Sequence, residues 1–118
     1  MKPKYNFFKN TTFALAGIRS MLKNEMAFKI ELCVIIPAVI LSLFLEISLL
    51  EQMLLICVLV GILIAECFNS AIEACVDLCT QDFHPLAKIA KDCASAGVFF
   101  SITLAVIVWG VVLFKILF

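Results

Sequence analysis

Charge is scarce in this chain: aspartate, glutamate, lysine and arginine make up 15% of 118 residues, and the nine basic and nine acidic groups cancel. A neutral chain has no bulk attraction for polyanions, so nucleic acid is not an expected partner. Four glycines and three prolines exclude a collagen-like chain, and no internal repeat or low-complexity linker interrupts the sequence. Six cysteines are present (Cys33, Cys57, Cys67, Cys75, Cys79 and Cys93), but none are spaced as CxxC and all fall in or beside apolar stretches. A disulfide scaffold or zinc site is therefore not expected, and these thiols read as small apolar packing groups. Met1 to Asn10 is basic and aromatic without a continuous apolar core or a small-residue cleavage pattern, so no cleavable signal peptide is expected.

What the chain has instead is apolar surface. Hydrophobic residues make up 64% of it, and its mean hydropathy is +1.16. A water-soluble domain of this size could not hide so much, and disorder and coiled coil are excluded by the same figures. Lipid is the solvent that fits. The expectation is an all-α membrane protein forming a single domain over 1–118. It has an amphipathic surface helix at about 7–23 and transmembrane helices at about 27–46, 51–76 and 93–114.

The last span, Cys93 to Phe114, contains no charge and crosses ~30 Å of hydrocarbon with ease. The first two apolar cores, Leu32 to Leu45 and Met53 to Ala65, are shorter than the ~20 residues of a complete crossing and must borrow polar neighbours. Pro37 lies inside the first span, where a kink is expected, a distortion that neighbouring helices in a membrane commonly tolerate. Lys2, Lys4, Lys9, Arg19, Lys23 and Lys29 precede the first span, Lys88 and Lys91 lie between the second and third, and Glu46 to Gln52 has no basic residue. The basic side faces the cytoplasm, which places the N-terminus inside, a connection near Thr80 to Lys91 inside, and the C-terminus outside. Phe8, Thr12, Leu15, Ile18 and Leu22 recur at helical spacing before the first span, as in a helix lying on the inner leaflet. A cytoplasmic extension of the first span, or one bent unit, is the alternative. Gln81, Asp82 and His84 followed by Pro85 form a helix start signal, and Trp109 near the outer end of the third span reads as an interface anchor.

The stretch from Glu66 to Asp77 carries the chemistry. Glu66, Asn69, Ser70, Glu73 and Asp77 fall within one helical arc and form a polar stripe ~16 Å long on an otherwise apolar helix. An ionised carboxylate facing hydrocarbon costs several kcal/mol, so these groups must meet cations, metal, water or polar partners. Lys88, Lys91, Asp92 and Ser95 form a second stripe on the next helix, and Glu25 and Glu31 approach the same level from the first. Carboxylates, an amide, lysines and hydroxyls at one depth suit a divalent cation carrying phosphates. The bland alternative is ion pairing at helix ends, which fits Asp77 and Lys88 better than Glu66 and Asn69. His84 alone reads as a capping or headgroup contact. Three helices are too few to enclose the stripe, so self-association is expected.

The motifs ECFNSAIEACVD and HPLAKIAKDCASAG, with NEMAF and Glu31 before the first span and AGIR in the surface helix, resemble the bacterial integral-membrane diacylglycerol kinase family, which includes undecaprenol kinases. The resemblance covers nearly the whole chain. It implies a homotrimer in the bacterial inner membrane that phosphorylates diacylglycerol from ATP with Mg2+. It also implies a fold unrelated to soluble kinases, and the chain has neither a GxxxxGK[ST] loop nor a protein-kinase glycine loop.

By resemblance, Glu66 is the general base, and Glu25 and Glu73 hold the metal. Nucleotide contacts are implied at Phe13, Glu25, Asn69, Glu73, Asp82, Phe83, His84, Lys91 and Asp92. Lipid contacts are implied on the surface helix at Asn10, Thr11, Thr12, Phe13, Ala14, Leu15, Arg19, Ser20, Met21 and Leu22. Further lipid contacts are implied at Ala27, Phe28, Lys29, Ile30, Glu31, Glu66, Ser95 and Trp109. Two positions depart from the family pattern: Asn6 stands where arginine is usual, and Phe13 where tyrosine is usual. Undecaprenol in place of diacylglycerol is the nearest alternative acceptor. An ion-coupled transporter subunit is a more distant alternative, because its acids belong nearer the midplane and without a lysine stripe beside them.

Overall fold

The computed structural model describes residues 4–118, so Lys2 of the basic N-terminal set lies outside them. Among the described residues the chain is all-helical, with α1 (Phe7–Asn24), α2 (Met26–Phe44), α3 (Leu49–Cys79) and α4 (Pro85–Leu117). Helices α2, α3 and α4 are each long and apolar enough to cross a membrane. Nineteen residues carry α2 over ~28 Å, whereas 31 and 33 residues carry α3 and α4 over ~46 and ~50 Å. Both long helices therefore outrun a hydrocarbon core of ~30 Å.

Each boundary has a local cause. At α1, Asn6 Oδ1 accepts the backbone N–H groups of Phe8 (3.0 Å) and Lys9 (3.2 Å), which satisfies two donors that a helix start leaves orphaned. Asn6 thus has a capping role at the position where it departs from the family pattern. Glu25 is extended (φ −109°, ψ 107°) while its N–H still bonds Met21 O at 3.0 Å. Helices α1 and α2 therefore meet at a one-residue corner and are neither a continuous extension nor one bent helix. At α3, Ser48 Oγ accepts the Glu51 N–H (3.2 Å) and Glu51 Oε1 accepts the Ser48 N–H (3.4 Å), a reciprocal capping box. At α4, His84 Nδ1 accepts the Leu86 N–H at 3.1 Å and Pro85 opens the first turn.

The connection between the last two spans is shorter than the hydropathy pattern implies. Only residues 80–84 are non-helical, so Lys88, Lys91 and Asp92 ride on α4 itself. A fall in hydropathy marks where lipid ends, but a helix of good formers runs on into water. For the same reason α3 continues to Cys79, beyond the expected Val76, while α2 stops at Phe44.

Helix α3 packs along α4, α2 leans on α3, and α1 touches α2. The core between them is Ile35, Leu59, Ile62 and Ala105, with Ala38, Val39, Val58, Leu63 and Trp109 around it. Three side chains pin the end of the bundle near the α2–α3 turn. Gln52 Nε2 donates to Ser42 O (3.2 Å), Trp109 Nε1 donates to Leu55 O (3.1 Å), and Lys115 Nζ pairs with Glu51 Oε1 (2.9 Å). Trp109 is thus tied to the backbone of α3. The six cysteines are free thiols. Outside the core, large apolar groups point away from the bundle; Phe44, for example, is 80% exposed. This surface is suited to acyl chains.

Candidate active site

The acidic stripe stands on α3 and descends toward the α3–α4 turn. Its highest member, Glu66, is only 6% exposed and is the one buried ionisable side chain among the described residues. It is buried because α2 crosses α3 there and brings Glu31 alongside, close enough for the two carboxyl groups to interact directly. Glu31 Oε2 is buried with no hydrogen-bond partner. One turn below, Asn69 Nδ2 donates to Glu73 Oε1 at 3.2 Å, while Asn69 Oδ1 is likewise buried without a partner. Buried polar atoms are nearly always satisfied in folded proteins, so the unpartnered Asn69 Oδ1 on α3 is left able to receive a donor or a cation.

At the lower end of the stripe the ends of α3 and α4 form an open cavity of about 400 Å³. Its walls include Asp77, Asp82, Phe83, His84, Lys88, Lys91 and Asp92, so the fold brings together five residues expected to contact nucleotide. Lys91 Nζ reaches across from α4 to Asp77 Oδ1 at 2.8 Å, and Lys88 pairs with Asp92 along α4. Gln81 Nε2 donates to the Asp77 backbone carbonyl at 2.9 Å and closes the end of α3. From Asp77 to Glu66 is eleven residues of α3, or ~16 Å. The cavity, the Asn69–Glu73 pair and Glu66 therefore lie along one line.

Other expected positions are not gathered into this line within one chain. Glu25 sits half-buried at the α1–α2 corner, and among the described residues no three carboxylate, thiol or imidazole groups converge on one point. Phe13 is exposed on α1, far along the helix from that corner. The lipid-contact set divides. Ile30, Glu31 and Trp109 line an apolar groove of about 380 Å³ between α2, α3 and α4. Leu22 and Phe28 line another, of about 470 Å³, beneath α1. Phe28 and Met21 are buried in the chain's own packing. Asn10, Thr11, Thr12, Ala14, Leu15, Arg19 and Ser20 are exposed on α1, Ala27 and Lys29 on α2, and Ser95 on α4. The Thr11 and Thr12 hydroxyls donate to Phe7 O and Phe8 O, and Asn24 donates to Ser20. Asp77, the last member of the stripe read from helical spacing and outside the set implied by resemblance, also lines the cavity at the ends of α3 and α4.

A helical membrane protein with the half-buried Glu31 carboxylate in an apolar groove, the buried Glu66 beside it, and a lysine-lined cavity toward the α3–α4 turn has the parts for chemistry on an amphiphile at a lipid boundary. Comparison with known proteins is specific. Residues 12–113 match the family described as prokaryotic diacylglycerol kinase, and the chain belongs to that family. It is 36% identical over 107 residues to the diacylglycerol kinase of Escherichia coli strain K12, covering 91% of this chain and 88% of that protein. It is 37% identical over 112 residues to the diacylglycerol kinase of Haemophilus influenzae, covering 92% of each. It is also 36% identical over 92 residues to the undecaprenol kinase of Bacillus subtilis, covering 78% of this chain and 75% of that protein.

Proposed function

We propose that the protein transfers the γ-phosphate of ATP to the free hydroxyl of diacylglycerol, forming phosphatidic acid at the cytoplasmic face of a bacterial inner membrane. The observation that carries this reading is the alignment of Glu66, the Asn69–Glu73 pair and the lysine-lined cavity on one side of α3. ATP enters the open cavity from water, where Lys91 and Asp92 hold it with Asp82, Phe83 and His84. The acceptor stays in lipid and presents its hydroxyl beside Glu66. Glu66 takes the proton as that oxygen attacks the γ-phosphorus, in line with the departing ADP oxygen.

The residues fit a hard divalent cation. Glu25 and Glu73 supply carboxylates, and the unpartnered Asn69 Oδ1 is a further oxygen donor. When bound with ATP, Mg2+ supplies charge neutralisation across the phosphates. Because Glu25 and Glu73 do not close a cage in one chain, water, phosphate oxygens and neighbouring copies complete the set. This agrees with a homotrimer whose sites are shared between subunits. Helix α1, with Phe8, Leu15, Ile18 and Leu22 exposed and Lys9, Arg19 and Lys23 beside them, lies on the inner leaflet and guides the acceptor. The basic N-terminal side is cytoplasmic and the C-terminus is outside.

Diacylglycerol is preferred over undecaprenol because the relatives named for it align over the larger share of both chains. The test is Glu66→Gln in purified protein. Phosphoryl transfer is expected to fall by about 10²–10⁴-fold while ATP binding is kept. A variant as active as the parent would remove the proposed base.

A further inference from the structure

We infer that Asp77 is the resting counter-ion of Lys91, and that the nucleotide's phosphates bind by displacing it. The inference rests on the ATP reading above and extends it to a residue outside the nucleotide set. Both lysines of the cavity are already engaged: Lys88 with Asp92 on its own helix, and Lys91 across the helix gap with Asp77 at 2.8 Å. An ammonium has three donors, and the Asp77 contact uses one of them. The pair is half-exposed, 43% at Lys91 and 52% at Asp77, so water screens it and it is cheap to open. Once Lys91 turns away, the Asp77 carboxylate faces solvent and is not stranded in a dry interior.

A triphosphate carries more charge than one carboxylate and takes the lysine readily, yet a carboxylate left at that distance repels it. Asp77 therefore holds Lys91 ready near Glu73 in the free protein and weakens nucleotide binding in the complex. Such a latch favours release of the spent nucleotide, which leaves with less negative charge than ATP.

Equilibrium binding of ATP with Mg2+ to the full chain in detergent micelles tests this. Asp77→Asn is expected to bind ATP about two- to five-fold more tightly, with Asp77→Glu returning toward the parent value. In a Lys91→Gln background the gain from Asp77→Asn is expected to shrink, because only the carboxylate's repulsion of the phosphates, and no competition for the lysine, is then relieved. If Asp77 only ties α3 to α4, Asp77→Asn leaves affinity unchanged or weakens it, and either result overturns the inference. Asp77→Ser, read the same way, replaces the asparagine variant should that one not fold. Failure of the parent protein to bind ATP at all would remove the underlying reading, whereas normal parental binding with an unaltered Asp77→Asn affinity removes the latch alone.

Discussion

Glu66 is sheltered from lipid by the crossing of α2 over α3. A charge facing hydrocarbon is opposed by several kcal/mol, but here the group turns into the α2–α3 crossing beside Glu31, one turn above the Asn69–Glu73 pair. The stripe is legible in sequence because acids and an amide at i, i+3, i+7 and i+11 stand out against apolar residues on every other face. The role of Trp109 is not legible in this way. Its indole N–H donates to Leu55 O, 54 positions away, and a contact of that separation leaves no local trace. Trp109→Phe keeps the ring's bulk and deletes the donor, so it is expected to cost about 1 kcal/mol in reversible unfolding from detergent. Stability equal to the parent would show that the bond contributes nothing.

The start of α4 was readable for a physical reason: orphaned N–H groups need acceptors at fixed offsets, so His84-Pro85 announces the helix before any tertiary contact forms, whereas the Ser48–Glu51 box moves the start of α3 ahead of the expected residue 51. The α1–α2 corner follows the change in hydropathy that separates a surface helix at about 7–23 from a span beginning at about 27, although Glu25 breaks the helix with neither glycine nor proline to signal it. Asn6→Ala removes two accepted hydrogen bonds from the start of α1, and is expected to lower the stability of that helix by about 1 kcal/mol and fray its first turn. Amide hydrogen exchange at Phe8 and Lys9 should rise in the variant while exchange in the α3 core stays unchanged. Equal protection in both proteins would count against the cap.

Across the whole molecule, the three long helices bury little of their apolar surface against each other, which a water-soluble fold could not sustain. The membrane class was therefore clear from composition, as was the number of spans. The lengths of α3 and α4 beyond the bilayer were not, because hydropathy reports solvent and not backbone. Orientation follows from lysine and arginine placement, so a reporter fused after Phe118 is expected to read outside the cytoplasm; a cytoplasmic signal would reverse the assignment. Incomplete enclosure of Glu25 and Glu73 within one chain leads to a second expectation. Mixing Glu25→Gln chains with Glu73→Gln chains should recover part of the lost activity if sites are shared between subunits, and none if each chain works alone.

The most direct measurement follows the label of [γ-32P]ATP in purified protein, with diacylglycerol or undecaprenol in mixed micelles, with and without Mg2+. Radioactivity should appear in phosphatidic acid, depend on Mg2+, and exceed that in the polyprenyl product. A preparation that binds ATP yet leaves diacylglycerol unlabelled would contradict the account.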